Sequence, residues 1–540
     1  MSYNNTYDVI IIGSGLGGLT AGARLARQGR RILMLEQHVV PGGCATTFKR
    51  RNFTMEVGLH EMDGLDAQDI KLKIFEELGV FDHLEFIKLP EFYRTLTESG
   101  SFDFVMPDGI ENAREALMQK FPAEARGIQT YFDTLIGVRS EVIRLQSMPR
   151  WKVALALPVF PLLFPMLVRN MKKNLGQFLN AHIGDTELKQ ILLANLGYYH
   201  DDPDSMSMIY YCMAQGGYYS GGGHYIKGGS QMLSDYLADI IRQHGGDIKF
   251  NQRVTSIIIE DGRARGVCFE RNHGRHKEPS RAQAAVVIAN SAVPNIPDML
   301  PDPYRTKLQR SIANRVSSCS LLSIYVGFKS PPQPTGRGQY ATFVAPHTIA
   351  DLDELTANNR APYSERGFVF VDYSRIDAGL SAAPRSVGAF CCVDYLNDWE
   401  GLSAADYRAK KEVVALQFFR RMERILPGFR ERVETYEVGT PHTIRRYTWN
   451  PGGSVYGFAQ IPGQDGLYRL PAKSPIKGLY FASAYTFPGG GFTGAILSGW
   501  FCAAQVLKDF KIPRRRIKQA NNRDALQQPE ATFKPSGSVT

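Results

Sequence analysis

A β-branched run, Tyr7-Asp-Val-Ile-Ile-Ile12, passes directly into Gly13-Ser14-Gly15-Leu-Gly-Gly18 and then into the small-residue stretch Leu19-Thr-Ala-Gly-Ala-Arg-Leu-Ala26. Few folds accept that order. The run has the length of a buried parallel strand, and a second strand, Arg31-Ile-Leu-Met-Leu-Glu36, ends in an acid. The predicted unit is strand, turn, helix, strand. In it Gly13 permits the tight turn, Gly15 lets a pyrophosphate approach the backbone, and Gly18 lets the helix lie on the strand. The helix start offers free N–H groups and a positive dipole end to phosphate, and Glu36 is placed to accept hydrogen bonds from a ribose diol. The alternative is a loop kept for packing after loss of its nucleotide. The matched strand, helix and acid favour the dinucleotide.

Beyond Glu36 comes Pro41-Gly42-Gly43-Cys44-Ala-Thr-Thr-Phe48. A glycine pair at this distance resembles flavoenzymes of the glutathione-reductase structural type, where backbone passes close to the ribityl chain and flavin ring. That likeness implies FAD in place of NAD.

Two later stretches continue the pattern. Gly228-Gly229 precedes a predicted helix to about His244, with Ser230 a candidate N-cap and Gly245-Gly246 a stop. A strand at 247–250, a hairpin turning at Glu260-Asp-Gly262, and a buried strand Ala285–Ala289 follow. Near the end, Gly478-Leu-Tyr-Phe-Ala-Ser483-Ala-Tyr485 reads as strand, and Pro488-Gly-Gly490-Gly491-Phe492-Thr493-Gly-Ala495 as a glycine turn opening a helix. The predicted class is α/β (α+β overall): a Rossmann-type FAD domain, discontinuous, of residues 1–70, 225–300 and 475–512. A substrate domain of 71–224 and 301–474 is inserted between those pieces.

This combination resembles the carotenoid and retinoid FAD oxidoreductases, which include phytoene desaturases, carotenoid cis–trans isomerases and retinol saturases. The likeness runs from Asp8 to about Leu507. Glu56-Val-Gly-Leu-His60 and Phe492-Thr-Gly-Ala495 lean toward retinol saturases. The resemblance implies an oxidoreductase acting on C=C or CH–CH bonds of an apolar polyene-like lipid, whether by saturation, desaturation or isomerisation. A flavin amine oxidase and a flavin-free lipid-binding or prenyl-protein-binding scaffold are the other readings. The likeness implies that Val254 lies near the adenine, and that Ser483, Gly490, Gly491, Phe492 and Thr493 join Gly13, Ser14, Gly15, Gly18, Glu36, Gly42 and Gly43 around FAD. Ala482-Ser483 departs from the Gly-Asp or Gly-Glu pair of many relatives, so an acid is missing there.

Candidate acid/base groups are His60, which follows the flavin-side loop, and Tyr485, which precedes the last glycine turn. A structural histidine and a core tyrosine are the plainer alternatives. Tyr198-Tyr199, Tyr210-Tyr211 and Tyr218-Tyr219 suit aromatic core better than a tunnel wall. Gly221–Gly223 lacks a preceding apolar strand, so no second dinucleotide motif is present. Electrons then pass to or from an external quinone, oxygen or reductant.

Val153–Val168 is an uncharged apolar run with prolines at 158, 161 and 165, flanked by Arg150, Lys152, Arg169, Lys172 and Lys173. Proline breaks the helical ladder and a spanning helix needs about 20 apolar residues. A monotopic element at 150–173 is therefore expected, dipping into a membrane from its cytoplasmic side while the basic flanks meet anionic headgroups. A buried wall would not need those flanks. Lys and Arg total 63 against 53 acids, a net charge of +10. No basic stripe interleaved with stacking aromatics accompanies it, which argues against nucleic acid as a partner. Seven scattered cysteines read as thiols, His273-x-x-His276 lacks partner ligands, so no metal is expected, and 513–540 reads as a disordered basic tail.

Overall fold

The computed structural model describes residues 6–273, 278–333 and 338–510. The predicted tail at 513–540 and His276 lie outside the described residues. The first sheet contains β1 (Thr6–Ile12), β2 (Ile32–Leu35), β3 (Asp247–Lys249), β4 (Gln252–Glu260), β5 (Arg263–Arg271), β6 (Ser280–Ala289) and β7 (Leu479–Phe481). The parallel order is β3-β2-β1-β6-β7. The β4–β5 hairpin pairs with the first half of β6, and β7 pairs with its second half. Asp261 and Gly262, both at positive φ, make the two-residue hairpin turn that the sequence predicts.

Every residue of β2 is buried, and β1 is buried along both faces, as a doubly covered parallel sheet requires. Val9, Ile11, Ile32 and Met34 pack toward α1 (Leu16–Arg27), α2 (Gln231–Gln243) and α3 (Gly491–Asp509). Ile10, Ile12, Leu33 and Leu35 face a second core with Val254, Ile257, Val287 and Phe481. Ser230 stands at the N-cap of α2 but does not cap it. Its hydroxyl donates to Glu56 Oε1 at 2.7 Å instead.

A second seven-stranded sheet is mixed, in the order Val433–Gly439, Ser320–Phe328, Ser386–Asp394, Phe368–Asp372, Ala341–Ala345, Tyr93–Thr97, Asp103–Met106. One face is closed by helix Ala404–Ile425 over a phenylalanine cluster that includes Phe328, Phe370, Phe390 and Phe418. The other face joins the core it shares with the first sheet. Helices between residues 110 and 221, chiefly Ala125–Ser147 and Met208–Gly221, complete that side.

The apolar stretch at 150–173 forms four short helical pieces broken at its prolines. It lies on the surface, with Leu162 81% and Leu155 71% exposed. Among the described residues no helix is long and apolar enough to cross a membrane.

Candidate functional site

The carboxyl ends of the parallel strands meet at one edge of the sheet. Gly13 N–H donates to Leu35 O, Asn290 N–H to Ile12 O, and Glu36 N–H to Lys249 O. In open α/β sheets ligands bind outside this edge. The glycine loop lies there and is held by two side chains, Glu36 and Asn290. Glu36 Oε2 accepts Ser14 N–H at 2.7 Å and Ser14 Oγ–H at 2.8 Å, and Oε1 accepts His38 N–H at 2.8 Å. A carboxylate offers about four acceptor sites, so Glu36 fixes the loop and keeps capacity for one further donor. Asn290 adds the second hold, its Nδ2 donating to Gly13 O and Gly15 O. The sequence reading found strand Ala285–Ala289 but missed the asparagine that ends it. A polar side chain at the exit of a third buried strand is the signal that marks it.

Gly15 and Gly42 form a parallel bridge, and Gly42 N–H donates to Ser14 O at 2.8 Å. Gly42 has φ +122°, and a Cβ there would stand 2.1 Å from Ala45 O. At Gly18 a Cβ would lie 2.6 Å from Gly13 O. Val254 belongs to β4, whose first residue donates its N–H to Glu36 O, so its strand starts beside the ribose-type acid. At the far end of the edge α3 begins at Gly490-Gly491. Like α1 it has neither a capping side chain nor an acid in its first turn. Two uncapped helix starts leave their first N–H groups available to an anion.

Three predicted residues are partly spent on the protein. Ser483 Oγ accepts Tyr485 N–H and so closes its own turn. Thr493 Oγ–H donates to Asp63 Oδ1 and accepts from Lys71 Nζ at 2.9 Å. Burial works to lower the pKa of Lys71, but the Asp63 and Asp69 carboxylates outweigh it and hold the value above the ordinary one. Tyr485, the second candidate catalyst, lies on the other side of the sheet. Its ring packs edge-on against Phe458 at 4.9 Å in the core on the sheet's second face, 2% exposed.

Gly43, Cys44, Gly58 and Gly491 are exposed. Burial nevertheless pushes the Cys44 thiol up, as expected of a side chain that faces an interior space and not bulk water. A Cβ on Gly58 would lie 3.0 Å from Cys44 O and 3.9 Å from the Phe492 ring. Those contacts bring the second glycine pair, the α3 start and the Glu56–His60 segment together. The edge, the two helix starts and this backbone-lined space fit FAD; Gly13–Gly18 and Glu36 would hold its phosphate and ribose end, and Gly42–Cys44 with Gly490–Thr493 its flavin end.

The segment from Val57 to Glu61 has irregular backbone, and four tyrosines satisfy it in turn. Tyr325 donates to Val57 O at 3.1 Å, Tyr373 to Leu59 O at 3.0 Å, Tyr340 to His60 O, and Tyr218 to Glu61 O at 3.4 Å. Glu56, 2% exposed, anchors the start by accepting Gly58, Leu59 and Ser230 N–H. His60 is thereby fixed with Nδ1 3.1 Å from Tyr198 Oη. Burial lowers its pKa to about 4 and raises that of Tyr198 well above the usual value, so both are neutral at pH 7. Next to it the Glu61 carboxyl has no hydrogen-bond partner among the described residues. Burial, then Asp63 and Glu91, push its pKa well up. It rests where a Cβ on Gly223 would be, 2.4 Å from Oε2, which accounts for part of the Gly221–Gly223 cluster.

Tyr198 leads into a pocket open to solvent at one side. Leu193, Leu196, Leu321, Phe343, Val369 and Val393 give it apolar walls, and His347 and Glu354, paired at 2.7 Å, stand at its polar margin. A second link ties it to the α3 start: a Cβ on Gly490 would lie 2.4 Å from Tyr456 O, and Tyr456 Oη donates to the lining Gly197 O at 3.0 Å. Of the paired tyrosines, Tyr198 lines this pocket. Tyr211 and Tyr219 are buried core, and Tyr210 donates to Gly490 O at 3.4 Å.

Fold and loops together define a flavin-nucleotide-dependent oxidoreductase. The chain belongs to the family of flavin containing amine oxidoreductases, which it matches over residues 16–507. It is 28% identical to chloroplastic prolycopene isomerase 1 of an Oncidium hybrid cultivar over 536 residues, covering 94% of this chain and 85% of that one. It is 24% identical to all-trans-retinol 13,14-reductase of Danio rerio over 569 residues, covering 96% and 89% respectively. Among solved structures, cyclohexylamine oxidase of Brevibacterium oxydans aligns with a TM-score of 0.59 at 15% identity, over 94% of this chain and 99% of that one. The cofactor is FAD, the flavin that the glycine motifs imply.

Proposed function

We propose that this protein uses FAD to act on carbon–carbon double bonds of an apolar polyene lipid bound in the Tyr198 pocket. The observation that carries the reading is the join between the two sites: a Cβ on Gly58 would meet Cys44 O and the Phe492 ring, His60 lies two residues on, and its ring meets Tyr198 at the pocket wall. Relatives named for isomerising prolycopene and for reducing all-trans-retinol support the substrate class. An amine substrate fits less well. A buried alkylammonium needs a paired anion, and the carboxylate lining this pocket, Glu354, is already paired with His347.

Gly13, Ser14, Gly15, Gly18 and Glu36 hold the nucleotide end, with β4 at Val254 bordering the adenine. Gly42, Gly43, Gly490, Gly491, Phe492 and Thr493 hold the flavin end, and Ser483 fixes the turn before it. Bound FAD supplies hydride transfer at its N5. The apolar walls exclude water, and the substrate lies with its reacting bond toward Tyr198. His60, neutral at pH 7, holds Tyr198 Oη in place and shares a proton at that oxygen. The second sheet and the helices around it make up the substrate domain. Because a second glycine–helix nucleotide motif is missing from the sequence, electrons come from or leave to a quinone, oxygen or another external reductant.

The surface stretch at 150–173 serves as the lipid-facing entry. Its exposed Trp151, Leu155, Leu157 and Leu162 enter the outer part of a bilayer, and Lys152, Arg169, Lys172 and Lys173 meet anionic headgroups. Binding there is peripheral.

The test is product analysis after anaerobic incubation with all-trans-retinol or a carotene, under oxidised and reduced flavin. A shortened chromophore identifies saturation, a lengthened one desaturation, and a changed isomer mix at constant length isomerisation. An unchanged polyene in all conditions, with flavin fully bound, refutes the reading.

A further inference from the structure

The polar groups that line the Tyr198 pocket are almost all committed. Gln190 donates to His347 O and accepts Ile349 N–H. Asn358 donates to Glu365 O and accepts Gly367 N–H. Glu354 pairs with His347, and Tyr198 with His60. His200 differs. It lines the same pocket, is 5% exposed, and its Nε2 has no hydrogen-bond partner among the described residues.

The protonation of that atom follows from the other ring nitrogen. Nδ1 accepts the backbone N–H of Asp202 at 3.1 Å, which leaves the proton of a neutral imidazole on Nε2. Burial lowers the pKa of His200, although Asp201 and Asp202 oppose this. Were those acids to keep the ring charged, with Nδ1 turned to Asp201 Oδ1 at 3.3 Å, Nε2 would still carry a proton. In both states a buried N–H donor is left unmatched, and leaving such a group unpaired is destabilising.

We propose that His200 Nε2–H receives an oxygen acceptor of the substrate, so that the pocket takes oxygen-bearing polyenes (alcohols, aldehydes or acids) in preference to pure hydrocarbons. The apolar walls take the chain and His200 fixes its register, which sets the double bond presented at Tyr198. This rests on the proposed function, because it assigns the end group of the ligand in that same pocket. A hydrocarbon would leave Nε2–H unsatisfied, and sites built to hydrogen-bond an oxygen discriminate strongly against analogues that lack it.

The experiment compares all-trans-retinol with the hydrocarbon of the same polyene lacking the hydroxyl, in flavin-loaded wild type, His200→Phe and His200→Gln. Binding is read from polyene quenching of tryptophan fluorescence, and flavin content checks that each variant is folded. Wild type is expected to bind the alcohol at least about tenfold more tightly than the hydrocarbon. His200→Phe should erase that preference, and His200→Gln, which keeps a side-chain donor, should restore part of it. Comparable affinity for both ligands, unmoved by His200→Phe, overturns the role of His200 and leaves the polyene reading intact. Failure of wild type to bind either ligand overturns both.

Discussion

The nucleotide edge and the substrate pocket are built from different materials. At the edge the parts are backbone: glycines without room for a Cβ, two uncapped helix starts, and strand ends joined by main-chain hydrogen bonds. In the pocket the parts are side chains from distant stretches, such as Tyr198, Phe343 and Val393. The first arrangement tolerates change outside its glycines and almost none within them. The second tolerates single changes at modest cost in stability but alters what binds. On the proposed function, cofactor and substrate selectivity in this fold are separable, and one short segment, Glu56–His60, lies between the two sites.

That separation can be broken at its strongest point first. Gly42→Val should remove FAD from the purified protein and cost about 4 kcal/mol in urea unfolding, because φ +122° and the clash with Ala45 O act together. Retained flavin absorbance would show that the backbone cradle is not decisive. Glu56→Ala strikes the junction. Three N–H groups lose their acceptor, for an expected loss of about 3 kcal/mol. If flavin stays bound while polyene turnover collapses, the segment is the link between the halves.

The pH dependence of stability sharpens the junction further, because its two titrating neighbours act in opposite directions. His60 has a folded pKa of about 4, below its unfolded value of about 6.5. The unfolded chain therefore binds more protons between those values, and stability falls as pH drops through that window. Glu61 is the reverse. Its folded pKa is raised, so stability falls as pH climbs above about 4.3 toward the folded value. His60→Gln should flatten the acid side of a pH–stability curve, and Glu61→Gln should stabilise the protein at pH 8. Parallel curves for both variants and wild type would contradict the burial of these groups.

Smaller effects belong to the pocket wall and the surface. Tyr198→Phe should cost about 1 kcal/mol in stability and lower polyene turnover with flavin content unchanged. Leu162→Asp should change stability by less than about 0.5 kcal/mol yet abolish sedimentation with anionic vesicles, since Leu162 is 81% exposed. Vesicle binding that survives this change, or that is insensitive to salt, would remove the lipid-facing role of 150–173.

How far the sequence carried follows from the same contrast. Gly13–Gly18, Glu36 and the turn at Asp261-Gly262 were legible because their physics is local: a few adjacent residues determine a turn, an anion site or a hairpin. The pairing of Tyr93–Thr97 with Ala341–Ala345 was not, because the two strands lie far apart in the chain and either would read as an ordinary strand. Asn290 was hidden for a related reason, as its task exists only once β6 lies beside β1. The tyrosines at 325, 340 and 373 look like core aromatics in any periodicity argument, and only the fold reveals that their hydroxyls hold successive carbonyls. The place of Tyr485 before the glycine turn was legible, but its edge-on packing against Phe458 was not, because that contact is tertiary.

Whether flavin and polyene meet across Glu56–His60 is read directly from an anaerobic titration of the flavin absorption bands with all-trans-retinol. Wild type and Gly197→Trp, which fills the pocket beside Tyr198, would be compared at equal flavin content. Wild type should show a saturable shift of the flavin bands that disappears in Gly197→Trp. Flavin bands indifferent to the polyene in wild type, together with bleaching by a simple primary amine, would contradict such a meeting.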